Sequence, residues 1–223
     1  MVAKGSITTG SLQRSRQVSL GIESALEDRL GIDVNLDTTL FYQRLHLTDL
    51  RNSLIPDPQS RDLLEPREGE SYGVELMLRR PMKHKLYGWL AYTLSRSLRV
   101  VDGIIVPSDW EQIHVLNLVV GYRWPKRYST SMRFHYNSGR PYPLYDARST
   151  DVEGYVRLPG FPQLDVRADK RFIFDTFVMD AYVELVNATL SREVFDLKRE
   201  YSGMVTENAY RLVLPSVGVH VEW

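Results

Sequence analysis

The chain has 223 residues, with 28 Lys plus Arg against 28 Asp plus Glu, 43% hydrophobic residues and no cysteine. The charge balance gives a nucleic-acid partner no support, and the lack of Cys excludes disulfides, thiolate metal sites and a thiol nucleophile. No window approaches the ~20 consecutive apolar residues of a membrane helix, so only strands could carry this chain across a bilayer.

Residues 1–15 read as an N-terminal segment without regular pattern, apart from mild β character at Ser6-Ile7-Thr8-Thr9. They hold no apolar signal-peptide core. From residue 16 the dominant period is two. Val18, Leu20 and Ile22 alternate with Gln17, Ser19, Gly21 and Glu23. Ile32, Val34, Leu36, Thr38, Leu40 and Tyr42 then share one face against Asp33, Asn35, Asp37, Thr39 and Gln43, with Phe41 out of pattern. A helix would scatter those apolar positions among the acids, whereas a strand separates them cleanly. The same alternation recurs around residues 72–79, 90–95, 116–123, 128–137, 164–171, 179–185 and 217–223, giving roughly nine strands.

The connections alternate in length. Short ones fall at 27–31, 80–84, 124–127 and 174–177, and long ones near 51–70, 99–110, 143–160 and 191–209. Short turns at one end and long loops at the other are the pattern of outer-membrane barrels. Aromatics gather at the short turns: Tyr87, Trp89, Trp124, Tyr128, Phe172, Phe174 and Phe177. There they read as a membrane-interface girdle, or alternatively as hairpin-flanking core aromatics.

The other face of the strands is charged. Arg133, His135, Asp165, Arg167, Asp169, Arg171 and Glu184 are its candidate functional positions. Desolvating so many ionised groups is too costly for a dry core, so they must meet water. That water is either bulk solvent outside a soluble sheet or a wet lumen. The fold class expected is therefore all-β, an antiparallel transmembrane barrel of about nine or ten strands over residues 16–223, forming part of a larger barrel.

The chain ends Ser216-Val217-Gly218-Val219-His220-Val221-Glu222-Trp223. A polar residue, then Gly two later, then alternating apolar residues closing on a terminal aromatic resembles the assembly signal of outer-membrane barrels. Ser216, Gly218, Val221 and Trp223 carry it. Such a strand would be recognised by β-augmentation, added to an open sheet edge of the assembly machinery.

Three further segments carry a wider resemblance. They are Gly88-Trp89-Leu90-Ala91-Tyr92-Thr93-Leu94-Ser95-Arg96-Ser97, the run Ser138-Gly139-Arg140-Pro141-Tyr142 leading to 158–172, and Ala181-Tyr182-Val183-Glu184-Leu185-Val186-Asn187-Ala188. Together with Arg14–Gly21 they resemble the C-terminal barrel portion of TonB-dependent outer-membrane receptors. The resemblance implies a bacterial outer-membrane location and ligand import through extracellular loops. The implied partners are outer-membrane lipid, the barrel-assembly machinery, a small ligand, and the TonB system acting through a plug domain. Neither the plug nor a TonB-contacting box is visible here, and nine strands is an odd number. The chain thus reads as a piece of a longer or split barrel.

Enzymatic chemistry has no motif to rest on. The five His (His46, His84, His114, His135 and His220) sit in no GxSxG elbow or HExxH helix. No cofactor, metal site or catalytic residue is expected. The acids Asp102, Asp109 and Asp151 read as solvated loop residues rather than a cation site. Two other readings stay open: a small outer-membrane barrel with a structural or pore role and no TonB coupling, and a soluble β-sandwich or lipocalin-like binder.

Overall fold

The computed structural model describes residues 14–27, 31, 33–48, 67–101, 103–145, 152–199 and 204–223. It is all-β and antiparallel. Nine long strands form one meander: β1 (Arg14–Ala25), β2 (Asn35–Thr48), β3 (Arg67–Arg80), β4 (Leu86–Val101), β6 (His114–Arg123), β7 (Tyr128–Asn137), β10 (Phe161–Ile173), β11 (Val178–Val186) and β14 (Leu214–Glu222). Each pairs with the next along this path, and the short β5 (Ile104–Pro107) folds back on β4. The sheet is open among the described residues, because β1 and β14 each have a single neighbour. These strands form no closed barrel on their own, in keeping with the expectation of a part rather than a whole barrel.

The boundaries move in understandable ways. β1 begins at Arg14, two residues before the expected start, because Arg14 and Ser15 pair with His46 and Leu45. β3 begins at Arg67, inside the expected 51–70 loop, and residues 51–66 of that loop lie outside the described residues. The other three long connections are not simple loops. Residues 99–110 hold the β4–β5 hairpin, 143–160 overlaps the hairpin of β8 (Pro141–Tyr145) and β9 (Val152–Arg157), and 191–209 overlaps that of β12 (Glu193–Arg199) and β13 (Val205–Tyr210). All three stand at the long-connection end of the sheet. Asp102 and Asp151 lie outside the described residues.

Cross-strand register sorts the side chains onto two faces, since directly paired residues share a face. One apolar row runs Leu20, Leu40, Val74, Leu94. Another runs Leu78, Leu90, Leu118, Phe134, Leu164. A third runs Thr130, Ala168, Val183, Val217. Nothing in the described chain covers this face: Val217 is 79% exposed, Val18 72% and Ile22 67%. The buried core is correspondingly small, with Leu158 and Pro141 its buried apolar side chains among the described residues. Phe41, out of pattern in the sequence, lies on the opposite face between Ser19 and Gly73, where the glycine leaves room beside it.

The short turns are tightly made. At 124–127 the amide of Trp124 donates to the Tyr128 carbonyl, and Lys126 and Arg127 both take left-handed backbone angles (φ 59° and 64°). Two consecutive positive φ values give the turn the twist that a hairpin's right-twisted strands require. Across the sheet, Asp33 accepts from Lys83 Nζ and lies 3.0 Å from His84 Nε2, tying the β1–β2 connection to the β3–β4 turn. These two hydrogen bonds, Lys83 first, hold the Asp33 carboxyl below its ordinary value.

Candidate functional site

The seven polar residues picked out by alternation do fall on one face, on β7, β10 and β11, and their register brings them together. Arg133 pairs with Asp165, and Arg167 with both Ser131 and Glu184. Asp165 is the buried centre, 4% exposed. Its Oδ2 accepts from Arg133 Nε at 2.8 Å and Nη2 at 2.5 Å. Its Oδ1 accepts from Gln163 Nε2 at 2.8 Å and from the Asn187 amide at 2.9 Å. A carboxylate that buried is tolerable because every direction around it meets a donor.

Asn187, also buried, continues the network past the end of β11. Its side-chain amide donates to the carbonyls of Ser191 and Leu212 at 2.9 Å, and its oxygen accepts from the Ser191 amide at 3.0 Å. It thereby fixes both ends of the β12–β13 hairpin.

Toward the short turns, Arg167 donates from Nε and Nη2 to Asp169 Oδ1 (2.9 and 2.7 Å), with Glu184 at 3.7 Å. Arg171 clamps Asp180 with two bonds, Nε to Oδ1 at 2.8 Å and Nη2 to Oδ2 at 2.6 Å. The guanidinium of Arg167 also lies 3.8 Å from the centre of the Tyr182 ring. That ring covers Gly218: a Cβ there would come within 2.4 Å of it. Tyr87 covers Gly121 in the same way, with Arg123 5.3 Å from its ring centre. Register places Tyr87, opposite Gly121, and Trp89, between Arg79 and Val119, on the polar face rather than in an interfacial girdle. Around these groups opens a hollow of about 850 Å³, lined by Tyr87, Arg123, Arg167, Asp169, Arg171 and Tyr182 among others.

His135 does not behave as a reactive group. Its Nδ1 meets Asn117 Oδ1 at 2.7 Å and its Nε2 meets Asn137 Nδ2 at 3.1 Å, so both ring nitrogens are held by amides. Among the described residues no cluster of three or more His, Asp or Glu is arranged to hold a metal.

The four terminal residues divide between the faces. Ser216, opposite Glu184, and Gly218, opposite Tyr182, lie on the polar face. Val221, opposite Met179, lies on the apolar face, and Trp223 projects beyond it at 98% exposed. The outer edge of β14 is unpaired among the described residues, as an edge open to β-augmentation must be.

A second buried acid, Glu111, escapes sequence reasoning. At 2% exposure its Oε1 accepts from Arg96 Nε at 2.8 Å and the Ser97 amide at 3.0 Å, while its Oε2 accepts from Arg157. Arg157 also donates to the Gly139 carbonyl at 3.1 Å. One carboxylate thus joins β4, the entry to β6 and the β8–β9 hairpin. The Gly-Arg-Pro-Tyr segment builds the same corner. A Cβ on Gly139 would strike the Leu158 carbonyl, and Pro141 is fully buried. Arg140 lies 5.0 Å from the Trp110 ring centre and donates to the Phe195 carbonyl at 3.0 Å. Tyr142 donates to Asp196, which also accepts from Asn208 at 2.8 Å. These bonds, Tyr142 first, hold the Asp196 carboxyl below its ordinary value. The only sequence signal for Glu111 was an acid next to Trp110 at the foot of a strand, with its partners 15 and 46 residues away.

No family model matches the chain, and neither the curated proteins nor the solved structures hold a match to it.

Proposed function

We propose that this chain is the C-terminal barrel wall of a TonB-dependent receptor of the bacterial outer membrane, with its apolar face against lipid and its charged face against a wet lumen. The observation that carries the membrane reading is the apolar face itself. From Val18 on β1 to Val221 on β14 it crosses nine strands, and its charged residues lie toward the strand ends, Arg80 and Lys170 near the short turns and Arg44, Glu70 and Arg96 near the long connections. A typical soluble monomer exposes its largest apolar patch over only ~300–600 Å².

The borders fit a bilayer. Tyr42, Tyr72, Tyr92 and Tyr136 line the long-loop end of this face, and Tyr122, Trp124, Tyr128 and Phe172 line the short-turn end. Tyr128 and Tyr136 stand about 27 Å apart along β7 at ~3.3–3.4 Å per residue. That is roughly 20 Å of height at the usual 35–45° tilt, against an apolar band of ~25 Å. Beyond the upper tyrosines the same face turns charged, with Arg44, Glu70 and Arg96.

Strand parity favours a part of a larger barrel over a small independent one. β1 and β14 run in the same direction, being first and ninth in an antiparallel meander. Joining them directly would need a parallel seam, whereas an odd number of further strands closes the barrel antiparallel throughout. In this reading short turns face the periplasm, and the hairpins β4–β5, β8–β9 and β12–β13, braced by Glu111 and Asp196, present the ligand-binding surface. The chain does no chemistry on the ligand.

Refolding the full chain into detergent and comparing boiled with unboiled samples on a denaturing gel tests the barrel wall. A faster-moving unboiled form with protease-resistant strands is expected, and a chain that stays monomeric and folded in plain buffer overturns it. The gene upstream of Met1 tests the transport half. A plug domain in frame supports a receptor, and a signal peptide followed directly by Met1 leaves the small barrel.

A further inference from the structure

The short-turn end of the apolar face carries a group of cations that no acid balances. Lys126 and Arg127 occupy the β6–β7 turn, and Lys170 is the only charged residue that β10 places on its apolar face. None of the three makes an ion pair among the described residues, although most other arginines of β7, β10 and the hairpins do. Arg171 beside them is spent on Asp180.

Lys170 is held in place rather than free. Its ammonium lies 3.8 Å from the Tyr128 ring centre and donates to the Lys126 carbonyl. It thus points along the strand toward the turn, as a lysine at a membrane boundary does when it carries its charge out of the hydrocarbon. Lys126, Arg127, Lys170, Arg171, Phe172 and Phe174 are among the residues lining a hollow of about 310 Å³ at the strand ends, and Arg127 also lines the polar-face hollow. One step along the strand on the same face, where Thr130 faces Ala168, two small side chains leave a second, apolar hollow of about 520 Å³ between Tyr122, Met132, Val166, Val183 and Leu185. Ala168 and Lys170 are about 7 Å apart along β10.

We infer that these two hollows together form a phospholipid site, with the lipid phosphate among Lys126, Arg127 and Lys170 and an acyl chain lying over Thr130 and Ala168. This rests on the membrane reading above. Three positive charges without counter-ions call for an anion, and the apolar trough beginning next to them accepts only the tail of an amphiphile. Tyr128, opposite Lys170, sits between, at the depth of the glycerol backbone. The occupant is an anionic phospholipid such as phosphatidylglycerol. A zwitterionic choline lipid brings its own cation to the phosphate and would be held less tightly.

Native mass spectrometry of the detergent-refolded full chain, titrated with phosphatidylglycerol or phosphatidylcholine, tests this. One phosphatidylglycerol should remain bound in preference to phosphatidylcholine. At about fivefold per cation, the Lys126→Gln, Arg127→Gln, Lys170→Gln triple variant should bind it on the order of a hundredfold more weakly. Ala168→Phe, which fills the trough and keeps every charge, should also lose the lipid. Should the triple variant fail to refold, Ala168→Phe decides alone. Equal retention of the two lipids, or binding unchanged in the variants, overturns the site while a heat-modifiable wild type leaves the membrane reading standing. A wild type that never enters detergent or vesicles overturns both.

Discussion

Placing a charge at the middle of the apolar face separates a lipid-facing sheet from a water-facing one. Val183 is suited to this. It lies mid-way along β11, 55% exposed, between Ala168 on β10 and Val217 on β14. If the face meets water, Val183→Arg loses little packing and should stay within about 0.5 kcal/mol of wild type, as surface substitutions do. If the face meets hydrocarbon, an arginine at mid-depth costs about 2–4 kcal/mol, and the cost falls to about 0–1 near the interface. Leu86→Arg provides the shallow control, since Leu86 opens β4 at the short-turn end of the same face and is 42% exposed. Urea unfolding of both variants in lipid vesicles gives the two free energies. A Val183→Arg loss at least about 2 kcal/mol greater than that of Leu86→Arg is expected, and equal losses would refute the lipid-facing assignment.

Other outcomes follow from single contacts. Gly218→Ala forces a methyl against the Tyr182 ring and should cost about 1–3 kcal/mol. Denaturant titration of Tyr182→Ala alone and combined should show the alanine tolerated once the ring is gone. Asp165→Ala removes the acceptor of the Asn187 amide and of Arg133, and should destabilise by about 3 kcal/mol. Hydrogen exchange should then show the Asn187 amide losing its protection. Glu111→Ala leaves Arg96 and Arg157 without their shared acid. It should loosen β5 and the β8–β9 hairpin, seen as faster exchange there with little change in β10 and β11. For pH, the lowered Asp33 carboxyl contributes stability that is fully present above the ordinary carboxylate range and is lost as pH falls through its folded value. Unfolding midpoints at neutral pH and near pH 3 should therefore fall less in Asp33→Asn than in wild type.

The sheet was legible because each strand alternates strictly and a one-residue slip would turn its apolar row to the wrong face. Leu164, Val166 and Ala168 against Asp165, Arg167 and Asp169 already place seven polar candidates on one side, and their register supplies the pairs. What stayed hidden depends on partners far away in sequence. Glu111 has no pattern of its own and becomes a hub only once Arg96 and Arg157 arrive from two other elements. The β8–β9 and β12–β13 hairpins were concealed because prolines and charges interrupt their alternation, as at Pro141-Tyr142-Pro143. Tyr87 and Trp89 were misplaced because nearness to a turn says nothing about face, whereas counting from Leu90 by twos puts both on the polar side. The small Gly121 opposite was the available clue to where the Tyr87 ring would lie.

The two faces place incompatible demands on any single surrounding. The polar face keeps its charge in compact pairs, Arg133 with Asp165 and Arg171 with Asp180, whose outer atoms still reach water. The arginines are 58% and 53% exposed at their side chains. Burying that face against a second sheet would strip those guanidiniums of solvent at a cost of several kcal/mol per ion. The apolar face would instead need a second sheet of comparable breadth to cover nine strands, and the described chain offers only three short hairpin extensions, all at one end. A sandwich would thus have to draw its second layer from outside the described residues. The proposed arrangement, lipid on one side and water on the other, would satisfy both faces as they stand, with charges confined to the strand ends on one side and running the length of the strands on the other.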